Sequence, residues 1–233
     1  LSVAEVVDRA EAGLGELDAQ PRVRAGVLET LAATRAGLGQ YESALALTDR
    51  ALAEADAASL EAGARARLLR RRATMLTELG RFDEAGQAID AARRAMPTTA
   101  TALEQLGLQM TGARLDQEAG RADAAADGYR HVLDGAAKLE PATLDSPART
   151  TLADLVDIAR GNLSVIASEQ GHLDEAARLI TASLEARRAR LGEDDPSTLA
   201  ARNKLAQLAF ARGDFAAAEA EARATLAAQR RVL

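Results

Sequence analysis

The residues able to do chemistry in this chain are few, and their spacing argues against a reaction. Only two histidines occur, His131 and His172, 41 positions apart, and neither has a carboxylate or serine placed to form a triad or a metal site. His131, near Tyr129 and Asp134, reads as a surface or packing residue, and His172 as a solvated turn residue. The carboxylate pairs Asp83-Glu84 and Asp174-Glu175 fall where helices should begin, so they complement the helix dipole. Gly13-Leu14-Gly15-Glu16 is too short for a phosphate loop and follows no strand. Asn162-Leu163-Ser164 matches a glycosylation sequon but lies inside a helical pattern. No catalytic residue, metal or cofactor is expected, and the chain is not expected to be an enzyme.

One cluster stands out. RARLLRRRA, residues 65–73, carries Arg65, Arg67, Arg70, Arg71 and Arg72 in a chain of net charge −6. On a helix at about 100° per residue, Arg65 and Arg72 share a side with Leu68, Leu69, Leu76 and Leu79. Arg67, Arg70 and Arg71 lie opposite, with Thr74, Thr77 and Glu78. Arg72 is expected to pack along its stem and find a carboxylate at the edge. The other three form a basic strip that meets either an acidic partner or only water. Nucleic acid is not an expected partner, because no aromatics interleave and the surrounding chain is acidic.

Composition narrows the elements that must carry these residues. Hydrophobic residues reach 48%, enough for a core, but aromatics are only 2% and Trp is absent, so that core is Ala, Leu and Val. Such a composition favours closely packed helices over strands. Cys is absent, which excludes disulfides and thiolate metal sites and leaves the compartment open, with the cytoplasm slightly favoured and an extracytoplasmic place allowed beside a membrane span. No run of about 18 apolar residues occurs, so no membrane insertion is expected. The start at Leu1 reads as that of a piece of a longer chain.

An internal repeat organises the rest. GQYESA, GRFDEA, GRADAA, GHLDEA and GDFAAA begin at Gly39, Gly80, Gly120, Gly171 and Gly213, separated by 41, 40, 51 and 42 residues. Two places after each Gly comes a bulky residue (Tyr41, Phe82, Leu173, Phe215; Ala122 is the exception), and five places after it an Ala: Ala44, Ala85, Ala125, Ala176 or Ala218. Gly ends one helix in the left-handed conformation, the bulky group plugs the corner, and Ala permits a close crossing. The flanking periodicity is helical, and Ser146-Pro147 and Asp195-Pro196 read as helix starts. Ser2 and Glu5 form a capping box for one helix over residues 1–18, with Val3, Val6, Val7, Ala10, Leu14 and Leu17 as its stripe. The prediction is an all-α solenoid of about eleven helices: a leading helix (1–19) and hairpins at 20–58, 59–97, 98–138, 139–191 and 192–233. The long fourth spacing places extra chain within residues 138–147, and Gly112 and Asp116 mark the third unit as atypical.

These turns resemble the tetratricopeptide repeat, and the linker Leu191-Gly192-Glu193-Asp194-Asp195-Pro196-Ser197-Thr198-Leu199 resembles its kinesin-light-chain type. Arg188 and Leu191 recur as Arg230 and Leu233, so the array is expected to continue. Residues 20–45 also resemble the entry to arrays behind bacterial serine/threonine kinase domains, and similar arrays sit behind transcriptional regulators. The resemblance implies a right-handed superhelix whose first helices line a concave groove. It places Glu29, Thr30, Ala33 and Ala36 there, then Arg70, Arg71, Thr74 and Thr77, then Met110, Thr111, Arg114 and Gln117. The later repeats contribute Gly161, Asn162, Val165 and Ser168, then Asn203, Lys204, Gln207 and Phe210. The implied function is binding of a protein or peptide segment, acidic in character. Arg67, Arg70, Arg71 and Arg114 would supply charge, and Thr74, Asn162, Asn203 and Lys204 would complete the site. The alternatives are self-association as a homo-oligomeric scaffold and a regulatory region attached to a kinase or regulator.

Overall fold

A computed structural model describes residues 2–57 and 61–232. All regular structure among them is helical: α1 (Val3–Ala12), α2 (Pro21–Gly37), α3 (Tyr41–Ala57), α4 (Ala62–Glu78), α5 (Phe82–Ala95), α6 (Ala102–Glu118), α7 (Ala122–Ala136), α8 (Ser146–Glu169), α9 (Leu173–Leu191), α10 (Pro196–Ala211) and α11 (Phe215–Val232). Contacts divide the chain into two compact units, Leu1–Arg121 with α1–α6 and Ala122–Leu233 with α7–α11. The division falls within the third predicted hairpin.

Each expected turn glycine has the left-handed backbone it was read for: Gly39, Gly80, Gly120, Gly171 and Gly213 have φ between 71° and 79°. The hydrogen bonds repeat with them. Gln40 N–H reaches the Arg35 carbonyl at 2.9 Å while Gly39 N–H reaches Ala36 at 3.0 Å, and the same pair recurs at Arg81/Leu76 and Gly80/Thr77. This is the Schellman arrangement, which satisfies two carbonyls left open at a helix end.

In the N-terminal unit, Leu28, Leu31, Ala32, Leu47, Ala51 and Leu68 form one apolar cluster with Val7 and Leu14. Ala44, Leu69, Ala73, Leu76, Ala85, Ile89, Leu108 and Leu115 form the next, with Tyr41 and Phe82 packed against it from the turns. In the C-terminal unit, Ala167, Ala176, Ile180, Leu184, Ala201 and Leu208 join α8, α9 and α10, with Leu173 in the plug position. Phe215 departs from the pattern. It is 63% exposed and stacks edge-on with Phe210 at 5.3 Å rather than filling a corner.

Three local expectations need correction. The leading segment is not one helix: α1 stops at Ala12 and Gly13–Leu17 winds as a 3-10 turn, because two glycines in three residues weaken the α-helix there. Ser2 and Glu5 do form the capping box, and Val7 and Leu14 are buried, but Val3 and Val6 are exposed. The cap of α8 is Asp145, whose carboxylate accepts from Ala148 N–H at 2.8 Å, which leaves Ser146 as the first helical residue. The fourth spacing is taken up mainly by helix: α8 has 24 residues where α6 has 17, with a short 3-10 turn at Pro141–Thr143 before it.

The turn geometry gives a direct test. A Cβ added at Gly80 would meet nothing within 4 Å, so any cost of Gly80→Ala is conformational rather than steric. Denaturant unfolding should show a loss of about 1–2 kcal/mol for Gly80→Ala, and less for Gly80→Asn, which tolerates the left-handed region.

Candidate functional site

The arginine run divides on the α4 surface as its angles require. Arg72 donates to the Asp49 carboxylate at 2.8 Å and Arg65 pairs with Asp56, both on α3. On the other side, Arg67 reaches across to Glu29 of α2 through Nε at 3.0 Å and Nη2 at 3.3 Å. Arg71 donates to the same Glu29 from 3.4 Å, and its buried Nε has no hydrogen-bond partner among the described residues. One carboxylate thus serves two guanidinium groups.

Arg70 is different. It is half-buried, and among the described residues its guanidinium makes no hydrogen bond or ion pair. Burial pushes its pKa down, the neighbouring Arg71 and Arg67 charges add to that, and Glu104 and Glu29 offset it only in part. The side chain leans onto α6: a Cβ added at Gly107 would stand 2.9 Å from Arg70 Nη1. It borders a cavity of about 60 Å³ together with Gly63, Ala66, Arg67, Met96, Pro97, Ala100 and Glu104. Thr74, one turn on, is half-buried and donates to the Arg70 carbonyl at 3.2 Å. Arg114 pairs with Glu78.

Four residues expected to line the groove are packed inside instead. Thr77, Met110, Thr111 and Gly161 are buried, and both threonine hydroxyls turn back to their own helices, at Ala73 and Gly107.

The C-terminal unit has its own cluster. Lys204 and Asn203 are exposed on α10, and among the described residues neither side chain has a hydrogen bond or ion pair. Lys204 borders a cavity of about 250 Å³ with Ser164, Val165, Ser168 and Gln207, and its Nζ lies 3.9 Å from where a Cβ would sit on Gly161. Asn162 is less available. Its side-chain amide donates to the hydroxyl of the buried Tyr129 at 2.9 Å. A third cavity of about 440 Å³ lies between α7, α8 and α9, with Leu152, Val156, Ala186 and Arg160 on its walls. Beside it Asp157, buried, takes Arg190 at 3.0 Å and Ser183 at 3.4 Å.

Both histidines are exposed, His131 through a ring nitrogen against the Asp127 carbonyl at 2.8 Å. No group of His, Cys, Asp or Glu among the described residues is placed to hold a metal ion. No helix among them is long and apolar enough to cross a membrane. The arrangement can bind anions and hydrogen-bond an extended chain. Sequence reading missed Glu29 as the neutralising partner of the strip. It also missed Arg35, buried on α2, which ties Asp8 and Glu11 of the leading helix to Gln40 of the first turn at 2.8 Å.

Burial alone would raise the Glu29 carboxyl, but the Arg67 hydrogen bond and the Arg67 and Arg71 charges outweigh it and hold the group below the ordinary carboxylate range. A lowered folded value means the contribution is whole at neutral pH and is lost as pH falls below about 4. Unfolding measured from pH 7 to pH 3 should show the wild type losing its margin over Glu29→Gln in that acid window. The margin should be under about 1 kcal/mol, since the pairs are partly solvated.

The repeats also have counterparts among known proteins. Residues 154–231 match the tetratricopeptide repeat family. No curated protein matches the chain. Among solved structures, BtubC (BKLC) from P. vanneervenii superposes with a TM-score of 0.76 at 18% identity, over 100% of this chain and 93% of that one. The kinesin-light-chain, nearly identical TPR-like repeats of Podosopora anserina superpose at 0.67 with 21% identity, over 91% and 96%. The apo quorum sensor NprR from B. thuringiensis gives 0.73 at 15%, over 96% of this chain and 60% of that one. With its glycine turns and paired helices, the chain has the fold of tetratricopeptide-repeat proteins, and its residues 154–231 match that family.

Proposed function

We propose that this chain is a non-catalytic interaction module that holds an acidic segment of a protein partner against the exposed faces of its first helices. The observation that carries this reading is the strip on α4. Three guanidinium groups converge there around Glu29, and among the described residues Arg70 makes no ion pair, its charge offset only in part by Glu104 and Glu29. Uncompensated positive charge, partly desolvated, gains most from a carboxylate brought by a ligand, because Arg binds one through two parallel hydrogen bonds. In the C-terminal unit, Lys204 and Asn203 offer a second charge and an amide that both donates and accepts. Arg114 and Thr74 belong to the N-terminal face but are engaged, with Glu78 and with the α4 backbone. Asn162 retains its amide oxygen for a ligand after donating to Tyr129. A similar fold occurs in YrrB, a TPR protein with an unusual peptide-binding site, at a TM-score of 0.51 and 16% identity.

The reading predicts a charge rule. A random peptide library displayed against the full chain should enrich Asp and Glu. Arg67→Glu/Arg70→Glu/Arg71→Glu should abolish that enrichment while the helical signal by circular dichroism is kept. Enrichment of basic or wholly apolar peptides would refute it.

Self-association is the second reading, and the stacked Phe210–Phe215 pair favours it, with Phe210 65% exposed and Leu226 48% exposed on the neighbouring helix. Aromatic area at that exposure is a common anchor for protein contacts. If it drives assembly, light scattering should show a concentration-dependent rise in mass that Phe210→Ser/Phe215→Ser removes and the triple Glu variant does not. A role beside a kinase or transcriptional regulator rests on the resemblance at residues 20–45 alone.

A further inference from the structure

The geometry points to Arg70 and the cavity beside it as a subsite for one acidic side chain followed by a small or medium apolar one, an Asp/Glu–aliphatic step in the bound segment. The inference rests on the acidic-segment reading above and sharpens it, because the three arginines of the strip are not equivalent. Arg67 and Arg71 are already held by Glu29, so a ligand carboxylate reaching them competes with an internal one. Among the described residues no carboxylate is hydrogen-bonded or ion-paired to Arg70, and the Glu104 and Glu29 charges offset it only in part. Glu104, the carboxylate on the cavity wall, is held elsewhere: it accepts from Thr101 N–H at 2.8 Å and from the Thr101 hydroxyl at 2.9 Å, closing the capping box of α6. It makes no ion pair with Arg70.

The surroundings fix the rest of the specificity. The guanidinium is kept in place by the missing side chain at Gly107, where any Cβ would displace it. Ala66, Met96, Pro97 and Ala100 make the apolar part of the wall beside the charge, and Glu104, held by Thr101, stands on the same wall. At about 60 Å³ the cavity has room for a carboxylate with its methylene. An aliphatic side chain next in sequence would cover Met96 and Pro97, exclude water and strengthen the ion pair.

The test uses the full chain and the blocked hexapeptide acetyl-Ser-Gly-Glu-Leu-Gly-Ser-amide, followed by calorimetry and by the arginine Nε–H signals in nitrogen-15 spectra. The peptide should bind and shift the Arg70 signal more than those of Arg67 and Arg71. Replacing its Glu by Gln, or Arg70 by Gln, should weaken binding by about tenfold to a hundredfold. Replacing its Leu by Ser should weaken binding less. Arg70→Gln should keep or raise the melting temperature, since it removes a charge crowded by two like charges. Gly107→Ala keeps every charge and favours helix, so it should leave the fold stable while lowering affinity several-fold. If the peptide binds and Arg70→Gln and Gly107→Ala leave its affinity unchanged, the subsite is wrong while the acidic-segment reading stands. If acidic library peptides and the hexapeptide both fail to bind, the two fall together. Equal binding of the Gln peptide, or inorganic phosphate competing as well as the peptide, also overturns the carboxylate subsite.

Discussion

Lack of room where two helices cross governs this molecule. Ala44, Ala85 and Ala176 have no accessible surface, and each stands five residues after a left-handed glycine. Helices that meet over a single methyl group bury little area per side chain, so the core is made of many small contacts rather than a few large rings. Long side chains cannot enter such a seam. They are pushed to its margins, where arginine stems lie along the helices and their heads meet carboxylates on the next element. Arg72 on Asp49, Arg67 on Glu29 and Arg190 on Asp157 all follow from this one restriction.

The five turns were legible in the sequence because their requirement is local. A left-handed residue, a plug and a methyl group leave a mark within six positions, and no tertiary information is needed to see it. The same locality explains what went astray. Whether Asp145 or Ser146 caps α8 depends on a backbone angle, and both residue types serve that role equally well. Gly13 and Gly15 end α1 early, although the apolar stripe runs on past them to Leu14 and Leu17.

The site was half legible. Periodicity alone sorts Arg65 and Arg72 from Arg67, Arg70 and Arg71, and the ion pairs to α3 and α2 agree with that sorting. What periodicity cannot supply is the identity of a partner 38 or 42 residues away, such as Glu29 for Arg67 and Arg71. Nor does it show which of three similar residues will be left over. Thr77, Met110 and Thr111 illustrate the same gap, since they hold the expected helical positions yet are buried.

The length of α8 has a consequence of its own. An insertion in a helix ordinarily rotates everything after it about the helix axis, which would swing Val165 and Ser168 away from α10. Seven added residues turn through about 700°, within about 20° of two full revolutions. The helix therefore grows without changing the direction its far end faces. The fourth repeat thus has a further stretch of wall, between α7 and α9, while the end of α8 keeps the phase of a shorter helix.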